Sequence, residues 1–201
     1  MEVTVLAEWL NSAFAQYDYM ILKALHDLAV ATEGTLTPFF MWISNLGKMG
    51  IGEIFLGILL LCFKKTRKAG MCVLLAVGLG AVITNVVIKN YVARPRPFID
   101  ITGIYYEWWK FAGGIKEAEY SFPSGHTTAA MAAVTAIVLN SKNKFKWFLF
   151  LFVVLMGISR NYLMVHYPSD ILGGILAGAL AGAISYFIIN RIKKYSVEEK
   201  I

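Results

Sequence analysis

Three short segments of the chain contain most of the side chains that could do chemistry. They are residues 89–97, 123–126 and 159–170, and each lies at the end of a long uncharged stretch. Because charge beside a membrane-spanning segment is costly, side chains in such places are usually functional. Two histidines, several arginines and a lysine are the groups that would bind a phosphate and act on it without a metal ion.

The sequence Pro-Ser-Gly-His at residues 123–126 predicts the start of a helix. Ser124 is a favourable N-cap, so the first backbone N–H groups and the positive end of the helix dipole would point outward toward an anion. Gly125 would let a phosphate approach the backbone, and His126 in the first turn could reach it. Taken alone, the segment fits an ordinary capped helix start at least as well.

Residues 159–170 combine an arginine, a histidine and a carboxylate at the turn between two uncharged stretches. His166 and Asp170 are four residues apart, so a helix start would bring their side chains together. A carboxylate on one imidazole nitrogen fixes the tautomer and leaves the other nitrogen free to attack. A lone histidine near a membrane face is more often structural, but the nearby Asp170 and Arg160 favour a functional role.

Lys89 and Arg96 lie seven residues apart at the end of a predicted span. Lysine and arginine in that position often reach the interface without a further role. Pro95 and Pro97 fix the backbone on both sides of Arg96, however, and this favours a built site. The sequence does not decide the role of Arg94.

The charge of these three segments indicates an anionic substrate, and we expect neither a metal ion nor another cofactor. Asp170 is the only carboxylate in the segments, and their arginines and lysine would repel a divalent cation. The third histidine of the chain, His26, has no companion motif, so we expect a structural role for it.

The composition predicts an integral membrane protein made of helices. Of 201 residues, 58% are hydrophobic and only 16% are charged, and uncharged runs such as 69–88 and 171–190 are long enough to cross a bilayer. We expect an all-α bundle with five or six transmembrane helices. Residues 36–195 would form this membrane-embedded domain. Residues 1–35 would precede it as an amphipathic helical segment that lies at the interface or crosses the membrane.

Basic residues cluster at the ends of the apolar runs. Eleven of the 19 lysines and arginines form three groups: Lys64, Lys65, Arg67 and Lys68; Lys142, Lys144 and Lys146; and Arg191, Lys193, Lys194 and Lys200. This pattern is typical of cytoplasmic loops, so the net charge of +6 does not indicate nucleic-acid binding. The three chemical segments lie at the opposite ends of the spans, which predicts a site at the extracytoplasmic face of the cell membrane.

Other sequence features predict the elements around the site. Residues 37–38, Thr-Pro, indicate a helix start, and that helix should break at the glycines within residues 47–50. Residues 97–122 are expected to form a polar and aromatic loop. Its Trp108 and Trp109 could hold lipid at the interface or belong to an ordinary aromatic belt.

In order and spacing, the three segments resemble the signature of the type 2 phosphatidic acid phosphatase family, K-x6-R-P, P-S-G-H and S-R-x5-H-x3-D. The matching residues are Lys89, Arg96 and Pro97, then Pro123 to His126, then Ser159, Arg160, His166 and Asp170. The resemblance implies a helical bundle similar to the core of the vanadium haloperoxidases. It covers residues from about 45 to 190 and implies a metal-independent phosphomonoester or diphosphate hydrolase, which would make the membrane-embedded residues 36–195 a phosphatase domain.

The resemblance implies a role for each matched residue. His166 would attack phosphorus and form a phosphohistidine, and Asp170 would orient His166. His126 would protonate the leaving oxygen and then activate water. The phosphate-binding residues would be Lys89, Arg96, Arg160, Ser124 and Gly125, the last through its backbone N–H.

The sequence limits the substrate to a class. The favoured candidates are undecaprenyl diphosphate and phosphatidylglycerophosphate, with phosphatidic acid as a third. A lipid phosphotransferase would use the same phosphohistidine. A non-enzymatic anion transporter is the other alternative, although transporters usually contain inverted repeats. The expected partners are a lipid phosphate and the bilayer, with no nucleic acid, and the oligomeric state is not decided.

Overall fold

The chain is helical over the part that the structure describes. The computed structural model describes residues 4–198, with side chains to residue 192. The helices are α1 (Val5–Ala13), α2 (Ala15–Ala31), α3 (Thr37–Leu46), α4 (Ile51–Leu61), α5 (Arg67–Ala81), α6 (Lys89–Val92), α7 (Ile104–Phe111), α8 (Gly125–Asn140), α9 (Phe150–Tyr162) and α10 (Pro168–Glu198). A π-helical stretch, Val82–Ile88, joins α5 to α6. The predicted all-α class is confirmed.

Among the described residues, four helical segments are long and apolar enough to cross a membrane. They are Thr37–Leu61, Arg67–Val92, Lys144–Tyr162 and Pro168–Ile192. The chain is therefore a multi-pass membrane protein, as the composition predicts. The shorter α8 packs against α5, α9 and α10. The number of spans, five or six, stays a prediction.

Helix α8 lies at the centre of the bundle, and α10 packs directly along it. A Cβ on Gly174 would lie 2.7 Å from the Ser124 carbonyl oxygen, and a Cβ on Gly178 would lie 2.5 Å from that of Thr128. Small residues at this spacing let two membrane helices approach closely. The Ser124 N–H also donates to the Asp170 carbonyl oxygen at 3.0 Å. The N-terminal ends of α8 and α10 are thus fixed side by side.

The predicted break after α3 is present, and the helix start at residues 37–38 is confirmed. Met49 and Gly50 both have left-handed backbone, with φ of 54° and 70°. Two successive residues in this region cannot continue a right-handed helix, so the chain turns before α4. The turn places residues 44–50 along one wall of the cavity described below.

Helices α1 and α2 pack onto the bundle. Helix α2 contacts α9 and α10. Its Leu22 and Ala29 are buried in a core cluster with Phe98 and Tyr162. The structure therefore joins the N-terminal helices to the bundle by apolar packing. The domain boundary at residue 35 and the interfacial position of residues 1–35 stay predictions.

The sequence left two roles open for Trp108 and Trp109, and the structure buries both side chains in the protein. Residues 104–111 form α7 instead of a continuous loop, and the two tryptophans are only 7% and 8% exposed. The Trp108 ring stacks on His26, with ring centroids 4.7 Å apart, and the Trp109 ring stacks on Phe98 at 4.8 Å. Both indoles therefore pack against other side chains of the protein, and His26 makes the kind of packing contact expected of a structural residue.

Candidate active site

The three chemical segments meet at one cavity of about 510 Å³. The motif residues that line it are Lys89, Arg96, Gly125, His126, Arg160 and His166. The other two predicted site residues, Ser124 and Asp170, are fully buried directly beside this set. Residues up to 81 positions apart in sequence thus converge because the ends of α6, α8, α9 and α10 lie together.

His166 lies in the turn before α10 and contacts a different partner at each ring nitrogen. Its Nδ1 is 3.4 Å from Asp170 Oδ2, and its Nε2 is 3.3 Å from Arg96 Nη1. Burial holds the pKa of His166 well below its usual value, and the charges of Arg96, Arg160 and Lys89 lower it further. The imidazole is therefore neutral near pH 7, with a lone pair available for attack.

Asp170, in the first turn of α10, is held on both of its oxygens. Oδ1 accepts from Arg94 Nη1 at 2.7 Å. Oδ2 accepts from the Tyr167 N–H at 2.8 Å and from the Ser121 hydroxyl, besides facing His166. A carboxylate fixed by this many donors can hold one imidazole tautomer in one orientation.

Arg96 is anchored by backbone groups and is only 3% exposed. Its Nε donates to the Glu119 carbonyl oxygen at 2.7 Å, and its Nη1 donates to the Val165 carbonyl oxygen at 2.7 Å. Burial lowers the pKa of Arg96 to about 10, so the guanidinium keeps its charge at pH 7. A fixed cation beside His166 Nε2 is suited to bind an oxygen of a phosphoryl group.

Ser124 is the N-cap of α8, as the sequence predicts. Its Oγ accepts from the Thr127 N–H at 3.4 Å and from the Thr127 hydroxyl at 3.1 Å. Gly125 lies against the site, because a Cβ there would be 3.3 Å from Asn85 Oδ1 and 3.9 Å from Lys89 Nζ. The start of α8 therefore presents backbone at the wall of the cavity, where an anion could approach it.

Two glutamates that the sequence reasoning missed pair with the cations of the cavity. Glu119 pairs with Lys89, and Glu117 pairs with Arg160 and lies 3.7 Å from Arg96. The expectation of a carboxylate-poor site holds for the three motif segments but is wrong for the cavity. Burial raises the pKa of Glu117, but the charge of Arg160 and its hydrogen bond outweigh this effect, so the pKa lies below its usual value. Glu117 is thus a carboxylate at pH 7.

Arg94, whose role the sequence left open, lies behind the cavity. It is 1% exposed and contacts Asp170 on the side away from His166. No group of three His, Cys, Asp or Glu side chains in the described part of the chain is placed to hold a metal ion. The arrangement as a whole is a neutral, oriented imidazole beside a set of cations, which can carry out nucleophilic attack on an anionic phosphorus centre.

Comparison with known proteins finds a matching family and several relatives. Residues 69–194 match the family model of the PAP2 superfamily. The chain is 31% identical over 163 residues to an undecaprenyl-diphosphatase of Bacillus subtilis, covering 79% of this chain and 77% of the relative. The crystal structure of Aquifex aeolicus LpxE superposes with a TM-score of 0.66 at 29% identity, covering 82% of this chain and 93% of that one. A PAP2 type phosphatidylglycerolphosphate phosphatase from Bacillus subtilis also gives 0.66 at 26% identity, covering 95% and 92%.

Proposed function

The chain belongs to the PAP2 superfamily and is a membrane phosphatase, and from this premise we propose that it hydrolyses a lipid phosphate or diphosphate through a phosphohistidine, without a metal ion. The observation that carries the proposal is His166, which is 1% exposed and lies between Asp170 at Nδ1 and Arg96 at Nε2. This contact pattern leaves Nε2, at the cavity, as the nitrogen that attacks.

The reaction would run in two displacements at phosphorus. The Nε2 lone pair of His166 forms the N–P bond while the bond from phosphorus to the leaving oxygen breaks. Burial and the charges of the nearby cations lower the pKa of His126 to about 2, so His126 would take up a proton only when the phosphoryl anion offsets those cations, and the imidazolium would then give that proton to the leaving oxygen. The imidazole keeps its Nδ1 proton, which faces Asp170, and the carboxylate offsets the positive charge on the ring. His126 then takes a proton from water, the water oxygen attacks phosphorus, and inorganic phosphate leaves with His166 restored.

The cations of the cavity would bind the phosphoryl oxygens. Lys89, Arg96 and Arg160 line the same cavity as both histidines. They are paired with Glu117 and Glu119, so an incoming phosphate must replace these carboxylates. Phosphoryl transfer depends mainly on positioning and on charge stabilisation, and this set of side chains supplies both.

Undecaprenyl diphosphate and phosphatidylglycerophosphate are the substrates that we favour. Relatives and structural neighbours carry these two activities in their names. Within the cavity, Val77, Gly80 and Ala81 add an apolar wall from α5 next to the polar groups. Lys89, Arg96 and Glu119 also line a second, adjoining cavity of about 880 Å³. We expect the headgroup to enter beside these residues while the lipid chain stays in the bilayer. The transporter alternative is set aside because the relatives are enzymes.

We expect phosphate release from a lipid panel in excess EDTA, with inhibition by vanadate. The panel contains undecaprenyl diphosphate, phosphatidylglycerophosphate and phosphatidic acid, presented to the purified protein in detergent. Vanadate can adopt the trigonal-bipyramidal arrangement of the transition state, so a site built for that state should bind it tightly. Chromatography of the lipid products separates hydrolysis from transfer to a second lipid. An absolute requirement for added Mg²⁺ or Zn²⁺ would contradict the proposed mechanism.

We also propose that the site faces the extracytoplasmic side, because the basic loops lie at the other ends of the spans. A cysteine at Glu107, which is exposed on α7, should react with an impermeant thiol reagent in intact cells. A cysteine at Lys144, which is equally exposed beside α9, should react only after lysis. Cys62 and Cys72 are free thiols, so both variants carry Cys62→Ser and Cys72→Ser. The opposite labelling pattern would overturn the orientation.

A further inference from the structure

Helix α2 carries a buried carboxylate, Asp18, in contact with the start of α10. Asp18 is 2% exposed. Its Oδ1 accepts from the Ser169 N–H at 2.8 Å, and its Oδ2 accepts from the Ser169 hydroxyl at 2.7 Å. Asp18 also lies well before the segment that matches the family model, which begins at residue 69. A buried acid with this many donors has a defined position, and its partner Ser169 is the neighbour of Asp170 in sequence.

Arg94 joins Asp18 to Asp170. Its Nη2 donates to Asp18 Oδ2 at 2.9 Å, and its Nη1 donates to Asp170 Oδ1 at 2.7 Å and to the Ser169 hydroxyl at 2.7 Å. The guanidinium lies over the Tyr167 ring at 3.9 Å, and its Nε donates to Asn11 Oδ1 at 2.9 Å. Arg94 therefore has one orientation, and two buried carboxylates share its charge.

The shared charge affects the oxygen that faces His166. With Asp18 present, the Arg94 cation is divided between two carboxylates, and Asp170 keeps negative charge for the imidazole. Without the charge of Asp18, Asp170 would be the only carboxylate on Arg94. It would then be drawn toward the guanidinium and would accept less strongly from His166 Nδ1. Charges interact strongly over such short distances in a buried setting.

We propose that Asp18 is a positioning residue of the reaction, which acts through Arg94 and Ser169 on the carboxylate of Asp170. The N-terminal helix is then part of the working site. This inference rests on the proposed function, because it concerns the residue that orients the nucleophile. Asp18 does not contact Lys89, Arg96 or Arg160 in the structure, so it should affect the rate of the chemical steps and leave anion binding intact.

The test is Asp18→Asn, which keeps the size of the side chain and removes its charge. The kcat for phosphate release is measured per vanadate-binding site, so that unfolded protein does not count. We expect kcat to fall about 10- to 100-fold, by analogy with the hydrogen-bonding partners that orient metal-bound histidines from behind. The KM and the vanadate Kd should stay within about threefold, since the cations that bind the anion keep their contacts.

The matched control is Asp27→Asn on the same helix. Asp27 is exposed and pairs with Lys23, so the same change there should leave kcat unchanged. A double-mutant cycle with Arg94→Gln tests whether Asp18 acts through Arg94. If it does, adding Asp18→Asn to the Arg94→Gln variant should lower kcat by less than about a further twofold. A merely structural Asp18 would lower the number of vanadate sites in both backgrounds and leave the rate per site unchanged.

Two results would overturn the inference: a kcat per site equal to that of the wild type, or an equal loss of rate and vanadate affinity. If Asp18→Asn gives no vanadate-binding protein, Ser169→Ala decides, because it removes the hydroxyl that contacts both Asp18 and Arg94. A severalfold loss of kcat per site in Ser169→Ala supports the inference, and an unchanged rate rejects it. A wild-type protein inactive on the whole lipid panel would instead contradict the proposed function.

Discussion

Replacing His166 with alanine should lower kcat by on the order of 10⁶-fold, the loss seen when the nucleophile of a catalytic unit is removed. Among the described residues, no other side chain has the surroundings of His166, which is buried, held by Asp170 at one nitrogen and beside Arg96 at the other. Without the imidazole the first N–P bond cannot form. Phosphate release by the purified variant in detergent measures the loss.

The control for this variant is His26→Ala. His26 is half-buried, stacks on Trp108 and does not line the cavity, so its loss should change the rate only slightly. Rapid quenching with labelled substrate should trap an acid-labile phosphoenzyme in the wild type and in His26→Ala but not in His166→Ala. Full activity in His166→Ala, or a phosphoenzyme there, would show that another residue is the nucleophile.

Asp170→Asn is expected to lower kcat by up to about 10⁴-fold, as for other carboxylates that orient a catalytic imidazole. An amide in place of the carboxylate can hold the wrong tautomer of His166. Vanadate affinity should persist, because Lys89, Arg96 and Arg160 remain. The measurements are turnover and vanadate Kd, with Asp100→Asn as the control, since Asp100 is exposed and contacts Thr102.

Asp170→Asn should also lower the stability of the folded protein. Arg94 donates to Asp170 Oδ1 and the Tyr167 N–H donates to Oδ2, so an amide NH₂ at either position would face a donor. We expect a lower Tm, corresponding to about 1–3 kcal/mol for one unsatisfied buried group. If the folded variant kept the wild-type rate, Asp170 would have a structural role alone.

The sequence was sufficient to find the motif residues and the helix boundaries near them because those signals are local. Ser124 caps α8 at the predicted position, and α3 begins at residue 37 and breaks at residues 47–50. The spacing of His166 and Asp170 across a helix start brought their side chains together, as expected. The basic loops and the apolar runs were sufficient for the membrane bundle but not for the number of spans.

The residues that were missed depend on contacts between distant segments. Glu117 and Glu119 lie in a loop whose charges look solvated in the sequence, and only the fold brings them to Lys89 and Arg160. Their position just before the Pro-Ser-Gly-His segment was the one available signal. Arg94 was visible beside Arg96, but its partner Asp18 lies 76 residues away.

The ion pairs that Glu117 and Glu119 form with the cations of the cavity should weaken inhibition of the enzyme by its product, inorganic phosphate. Glu117 and Glu119 are tethered anions paired with the cations that we propose bind phosphate, and a tethered group competes at a high effective concentration. Dissolved inorganic phosphate, which is dilute and gains nothing from the bilayer, would have to displace them and would be readily expelled. A lipid headgroup reaches the same cations already concentrated in the plane of the membrane. The cavity would thus distinguish an anchored anion from a free one, which favours turnover over product inhibition.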